Sequence, residues 1–379
     1  MNKFNRIYFI PVLLVMLCLG CDDEPLDIND ATAFDTYLEE EITRQNIPAL
    51  SVLIFEGETI KYEKNLGKSD IENNQALTQD DIFLMASVSK LVTGIALLQL
   101  YENGEFNLDD KINDYLPFSI DVPNQSTPIT FRMLLTHTSA IEDGPNSQLF
   151  YSYGEDSPIA LETYMEKYLT PNGEYYDASD NFYNYEPGTK HDYSNMASAL
   201  IGALVAEISN KDFKDYCQEN IFQPLNMNNT YWSLDAALQS SKKLVKPYDY
   251  AGGEFEAIEH YTFPDYPNGA LRSTARDMMK LLSALAQDGT SSNYELLTAN
   301  TVNEMLSSQI PSLESTMGLH AFMLDATNNI WGHDGSEQGV STEAGFNPSN
   351  NIGVVVLSNL QDVDVSEILL EAYQFGLKL

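Results

Sequence analysis

Ser87 and Lys90, in Ser87-Val88-Ser89-Lys90, stand three residues apart at the head of an apolar stretch running from Leu91 to Tyr101. Residues at that spacing share one helix face. The hydroxyl and the amine therefore face each other near a helix N-terminus. A serine hydroxyl is a weak nucleophile until a neighbouring base takes its proton. A lysine serves as that base when burial or nearby cations lower its pKa. The helix dipole favours the alkoxide that forms. The pair suits attack on a carbonyl, yet the same spacing recurs in helices that do no chemistry. What decides is whether partners lie downstream.

A hydrolase of this kind needs a second polar group on the proton path and donors for an oxyanion. Glu186-Pro187-Gly188 precedes His191-Asp192-Tyr193-Ser194-Asn195, and a helical pattern follows. A tyrosine at a helix start can turn its phenol into a cleft. Beside a lysine cation its pKa falls, which makes Tyr193 a base or proton relay. Asn195 offers an amide to a substrate carbonyl or to the lysine. Much later, Trp331-Gly332-His333-Asp334-Gly335-Ser336 reads as a strand. Gly335 lets a substrate backbone come close, and the amides of Ser87 and Ser336 suit an oxyanion hole. Strand alternation places Asp334 on the face opposite His333, out of the cleft. The five histidines show no H-x-H or H-E-x-x-H spacing, so no metal site is expected. His137 reads as a turn residue bonded to backbone.

Elements at both ends of the chain must position these groups. Phe34, Leu38 and Ile42 recur at helical spacing. Ala49 to Phe55 and Thr59 to Leu66 are β-rich runs joined by the hairpin signal Glu56-Gly57-Glu58. Helical patterns and polar loops fill residues 102–290, including Phe131 to Leu135, Ala197 to Ile208 and Arg276 to Gln287. Leu319 to Leu324, Ile330 to His333, Val340 to Phe346 and Ile352 to Leu357 read as strands. A turn at Pro348-Ser349-Asn350-Asn351 and a closing helix from Val363 complete the pattern. Strands at both ends with helices between imply an α+β fold with one antiparallel sheet, N- and C-terminal helices and an inserted helical region. A tyrosine-rich stretch from Tyr151 to Tyr193 is either loop packing or an aromatic rim over a cleft.

The chain has 379 residues, 43% of them hydrophobic, and a net charge of -36. Such a surface repels phosphate backbones and excludes nucleic acid as a partner. Lys3 and Arg6 precede an apolar run, Ile7 to Leu19, too short to span a bilayer but suited to a signal peptide over residues 1–20. The run ends at Gly20-Cys21, which resembles a bacterial lipoprotein signal with Cys21 lipidated. Acidic residues 21–30 read as a tether. The expected product is exported and anchored to a membrane, facing the periplasm or the cell surface. Cys217 lies in a helical pattern and reads as a small core residue.

The order S-x-x-K, then Y-x-N, then a [K/H]-x-G strand resembles the serine β-lactamase and penicillin-binding protein superfamily, in its class C-type branch. Leu134-Leu135-Thr136-His137-Thr138-Ser139 resembles that family's L-L-x-H-T-S turn. Asn268 to Asp277 resembles its G-G-L-x-S-T-x-x-D segment, and Phe222 to Met227 its F-x-P-L-G-M. The likeness runs from residue 31 to the end. It implies a domain over residues 31–379, with a sheet part (31–80 and 268–379) and a helical part (81–267). It also implies Ser87 as the acylated nucleophile, Lys90 as its base and Tyr193 as the assistant in proton transfer. Asn195 would position substrate, and His333 would hold the third-motif position. No cofactor is implied. Ala140 and Asn226 stand where the family carries glycines, both in turns. His333 in place of lysine is a feature of peptidase and esterase branches. The expected activity is therefore hydrolysis of a peptide, amide or ester, with neutral or cationic substrates preferred over anionic β-lactams. β-Lactamase or D-Ala-D-Ala carboxypeptidase activity is the alternative, and a non-catalytic ligand-binding relative a further one.

Overall fold

Asp30 caps helix α1 (Ala31–Gln45), its carboxylate accepting from the Ala33 amide at 2.9 Å, and Asn46 ends it at φ 55°. The computed structural model describes residue 28, residues 30–148 and residues 150–379, so the expected signal peptide, Cys21 and nearly all of the tether lie outside it. Strands β1 (Ala49–Glu56) and β2 (Thr59–Asp70) form the expected hairpin, with Gly57 at φ 55° in its turn. A two-residue strand β3 (Gln75–Ala76) follows. The chain then leaves the sheet and returns as β4 (Phe322–Asp325), β5 (Ile330–Glu337), β6 (Val340–Asn347) and β7 (Ile352–Ser358). The seven strands lie in the order β4-β5-β6-β7-β1-β2-β3, every neighbouring pair antiparallel. The two ends of the chain thus complete one sheet in an α+β fold, as the period-2 segments imply.

Both faces of that sheet are dry. Along β1, Ala49, Leu53 and Phe55 enter one core, and Leu50, Val52 and Ile54 enter the other. Strand β7 divides the same way, Val355 and Leu357 against Val354 and Val356. Each such aliphatic side chain contributes roughly 1.5–3 kcal/mol relative to exposure. Helix α1 and the closing helix (Val365–Gly376) cover the second face.

The catalytic candidates sit where the first face meets the inserted helices. Helix α2 (Ser89–Glu102) is buried along nearly its whole length, apolar on every side, and packs on helix α5 (Asn195–Ser209). Between them in sequence lie α3 (Phe131–Leu135) and α4 (Leu161–Leu169). The tetrad does not open an α-helix as the spacing suggests. Ala86–Val88 forms one 3-10 turn and α2 begins at Ser89, because Ala86 takes a left-handed φ of 46°. The strand expected from Leu319 starts only at Phe322. His320 holds φ 57° there, which strand geometry does not allow. A short pairing of Phe83–Leu84 with Arg272–Ser273 ties the approach to Ser87 to the segment after Asn268.

Candidate active site

Lys90 is 0% exposed and sits at the meeting of three chain segments. Its Nζ lies 3.0 Å from Ser87 Oγ, 2.8 Å from Asn195 Oδ1 and 2.6 Å from the Asn268 carbonyl. Burial drives its pKa well down, to about 7, against the opposing fields of Asp143, Asp265, Glu337 and Asp334. A neutral amine has two N–H donors and one lone pair. Here the two N–H groups are matched by Asn195 Oδ1 and the Asn268 carbonyl, which leaves the lone pair toward the Ser87 hydroxyl. Hydrogen bonding thus orients the base before any substrate arrives.

Tyr193 borders the same cleft, its ring 5.0 Å from the Lys90 ammonium position. The expectation of a lowered pKa fails. Desolvation of the hydroxyl pushes the phenol up, the carboxylates of Asp334 and Asp143 add to the rise, and the contact with Ser87 opposes it, although the residue as a whole keeps 38% of its surface exposed. A phenol can both donate and accept, which suits Tyr193 to relaying a proton.

Asn195 is the first residue of α5, and Ser194 caps that helix by accepting from the Ala197 amide at 3.0 Å. Asp143 fixes the turn: it accepts from Ser194 Oγ at 3.0 Å, the Asn195 amide at 2.7 Å and the Met196 amide at 2.9 Å. Sequence reasoning missed Asp143, which lies far upstream in a loop without periodicity. It also missed Asp265, whose carboxylate and carbonyl accept from the Asn268 side chain at 2.6 and 2.8 Å. Asp265 thereby holds the carbonyl that orients Lys90.

Gly335 is required by the protein's own packing. A Cβ there would stand 2.6 Å from Thr342 Oγ1, 2.8 Å from the Met85 carbonyl and 2.9 Å from the Ser87 amide nitrogen. Strand β5 therefore lies directly on the Ser87 turn, with Thr342 bonding the Met85 carbonyl at 2.7 Å. Ser87, Gly335 and Ser336 line one cleft of about 550 Å³, with Tyr193, Asn195, Phe322 and Met323 around them.

His333 and Asp334 alternate across the sheet as expected, His333 opposite Ala344 of the first core and Asp334 opposite Glu343, which accepts from Ser366 of the closing helix. His333 is buried, its ring centroid 6.2 Å from Tyr193 and 5.3 Å from Phe322 and its Nδ1 2.5 Å from the Asp334 carbonyl, whereas Asp334 borders the cleft at the strand edge with its side chain 69% exposed. Strand β4 pairs only with Ile330 to Gly332, so the outer edge of β5 from His333 to Glu337 is open, and Asp334 at that edge borders the cleft. Burial first, then Lys90, lowers the His333 pKa to about 4, so the ring is neutral at pH 7. His137 accepts from the Ser194 amide through Nδ1 at 3.2 Å, packs 4.4 Å from the Tyr193 ring and is stacked on His320 at 5.2 Å. Burial holds both of these rings neutral as well. Among the described residues, no cluster of three or more His, Cys, Asp or Glu is arranged to hold a metal. Cys217 is buried in the core.

The arrangement can deprotonate a serine at the floor of an open cleft. Comparison with known proteins bears on the fold and the family. Protein flp of Staphylococcus aureus is 23% identical over 337 residues, covering 88% of this chain and 64% of that protein. The chain thus spans a little under two thirds of that relative. The D-amino acid amidase of Ochrobactrum anthropi SV3, solved with L-phenylalanine amide, superposes with a TM-score of 0.72 at 20% identity, over 92% of this chain and 98% of that one. The octameric penicillin-binding protein homologue of Pyrococcus abyssi also gives 0.72, at 22% identity, over 92% and 77%. The Beta-lactamase family model matches residues 34–375, and with the Ser87–Lys90–Tyr193 cleft lying inside that span, the chain belongs to the Beta-lactamase family.

Proposed function

We propose that the chain is a serine hydrolase that works through an acyl-enzyme on Ser87 and cleaves an amide, peptide or ester bond. The observation that carries this is the wiring of Lys90. Its two N–H groups are engaged by Asn195 and Asn268, and its lone pair faces Ser87 Oγ at 3.0 Å. In the first half-reaction Ser87 Oγ bonds to the substrate carbonyl carbon as its proton moves to Lys90. The carbonyl oxygen becomes an oxyanion between the amides of Ser87 and Ser336. Tyr193 gives its proton to the departing amine or alcohol as the carbon–heteroatom bond breaks, and takes one back from protonated Lys90. Water then gives a proton to Lys90 as its oxygen bonds to the acyl carbon, the carbon–Oγ bond breaks, and Ser87 takes that proton as the acid leaves. Support for neutral or cationic substrates comes from the cleft, whose lining among the described residues includes Asp334 and Glu337 but no Lys, Arg or His. A carboxylate-bearing substrate meets no cation in that lining.

A fluorescent phosphonate should label Ser87, and Ser87→Ala should abolish labelling. Lys90→Ala and Tyr193→Phe should each slow labelling by about a hundredfold, the scale of a lost acid–base group. An adduct mapped by mass spectrometry to Ser89 or Ser194 refutes the assignment.

We also propose that the protein is exported and held at a membrane surface by lipid on Cys21, as the Gly20-Cys21 junction behind an apolar run suggests. Cys21→Ser should move the protein from the membrane fraction to the soluble one. A variant that stays with the membrane shows that the anchor lies elsewhere.

A further inference from the structure

A second recess of about 340 Å³ adjoins the cleft. The two share Asn195, Asn268, Ser336 and Glu337 as a common wall. A group seated in the recess can therefore belong to the same molecule that acylates Ser87. The lining is chemically one-sided. Asp143, Asp265 and Glu337 border it together with the rings of Tyr151 and Phe263, and among the described residues no Lys or Arg does.

The three carboxylates differ in what they still lack. Asp143 is engaged by the start of α5 through three hydrogen bonds. Glu337 accepts from the Tyr151 hydroxyl at 3.0 Å and the Gln338 amide at 2.9 Å, both through Oε1. Asp265 is 5% exposed, and only its Oδ2 accepts from a side chain, Asn268 at 2.6 Å. Its Oδ1 has no hydrogen-bond partner among the described residues. A buried carboxylate oxygen without a donor is rare, because it forfeits its hydration and gains nothing in return. A hydrogen-bond donor would satisfy it, and the neighbouring carboxylates of Asp143 and Glu337 favour a donor that carries positive charge. An ammonium group does both with three N–H donors, and aromatic faces beside it add cation–π attraction.

We propose that this recess binds the free ammonium group on the acyl side of the substrate, so that the preferred substrates are amino-acid amides, esters or peptides with an unblocked α-amino group. The proposal rests on the hydrolase reading above. It also competes with a simpler role for Asp265, that of a positioning residue which holds Asn268 and through it Lys90. The test must separate the two.

The full chain is assayed with phenylalanine 4-nitroanilide, D and L, and with the N-acetyl form of each. For one enantiomer the free amine should exceed its acetylated form in kcat/KM by about tenfold or more, the scale of a charge-assisted hydrogen bond. Glu337→Gln and Asp265→Asn should each pull that ratio toward one, chiefly through KM. A fall in both substrates together, with the ratio intact, leaves Asp265 a positioning residue and overturns the proposal. So does a wild-type ratio near one in both enantiomers. Calorimetric titration with benzylamine and with benzyl alcohol reads the recess without turnover. Benzylamine should bind at least about tenfold tighter, and equal binding overturns the proposal. If phosphonate fails to label Ser87 and no anilide is cleaved, the hydrolase reading fails, and the benzylamine titration still decides the recess.

Discussion

Lys90 shows how one residue can be both expected and underestimated. Its partnership with Ser87 was legible from spacing. Its charge state was not, because that depends on burial inside a helix that is apolar all round and on four carboxylates from distant segments. The direction has a consequence for pH. Only neutral Lys90 can accept the serine proton, and its pKa of about 7 sets the population of that form. Acylation by the phosphonate should rise with pH through about 7 and level off above it, losing about tenfold per unit on the acid side. A profile flat from about pH 5 to 9 would show that Lys90 is not the base. Tyr193 should contribute no alkaline limb in that range, since burial holds the phenol protonated.

At the level of elements, the period-2 strands and 3.6-period helices could be read directly because both sheet faces and the α1 stripe bury apolar residues in register. Boundaries slipped where backbone conformation, not hydrophobicity, decides. His320 and Ala86 hold left-handed conformations that no pattern announces. Ala140 and Asn226, which replace family glycines, keep φ at 61° and 56°, so the turns survive the substitutions at some local strain. Asp334 alternates with His333 as the strand period implies, but it still borders the cleft because β5 loses its outer neighbour after Gly332. Asp143 and Asp265 had no sequence signal at all, being loop residues whose importance comes only from what the fold brings to them. Gly335 joins the two ends of the chain. Gly335→Ala should cost about 1–3 kcal/mol in denaturant unfolding, as overpacking against backbone does. It should also cut acylation by about a hundredfold, because the clash displaces the Ser87 amide. Wild-type acylation in that variant would show that the strand does not set the Ser87 turn.

For the molecule as a whole, charge is the dominant fact. The net value of -36 acts at long range only weakly in salt, where screening sets in within about 8 Å. What remains is local: Asp334 and Glu337 at the cleft, with no cation in its lining among the described residues. Under one buffer, kcat/KM should be higher for a short-chain ester and a D-amino-acid amide than for a cephalosporin. Added salt should narrow the gap, since it screens the repulsion of the cephalosporin carboxylate. A cephalosporin that is the best of the three identifies the enzyme as a β-lactamase instead.

The open edge of β5 has a second side. Unpaired strand edges attract other strands, and a sheet that ends in one risks joining its counterpart on a neighbouring copy. From His333 to Glu337 this edge offers unpaired backbone to any extended chain that fits the cleft. Two copies approaching there would bring Asp334 and Glu337 of each into contact, carboxylate against carboxylate, with water still bound to both. A short peptide lacking acidic groups meets no such barrier. An acidic rim of this kind would favour extended chains without acidic groups over a second copy of this edge.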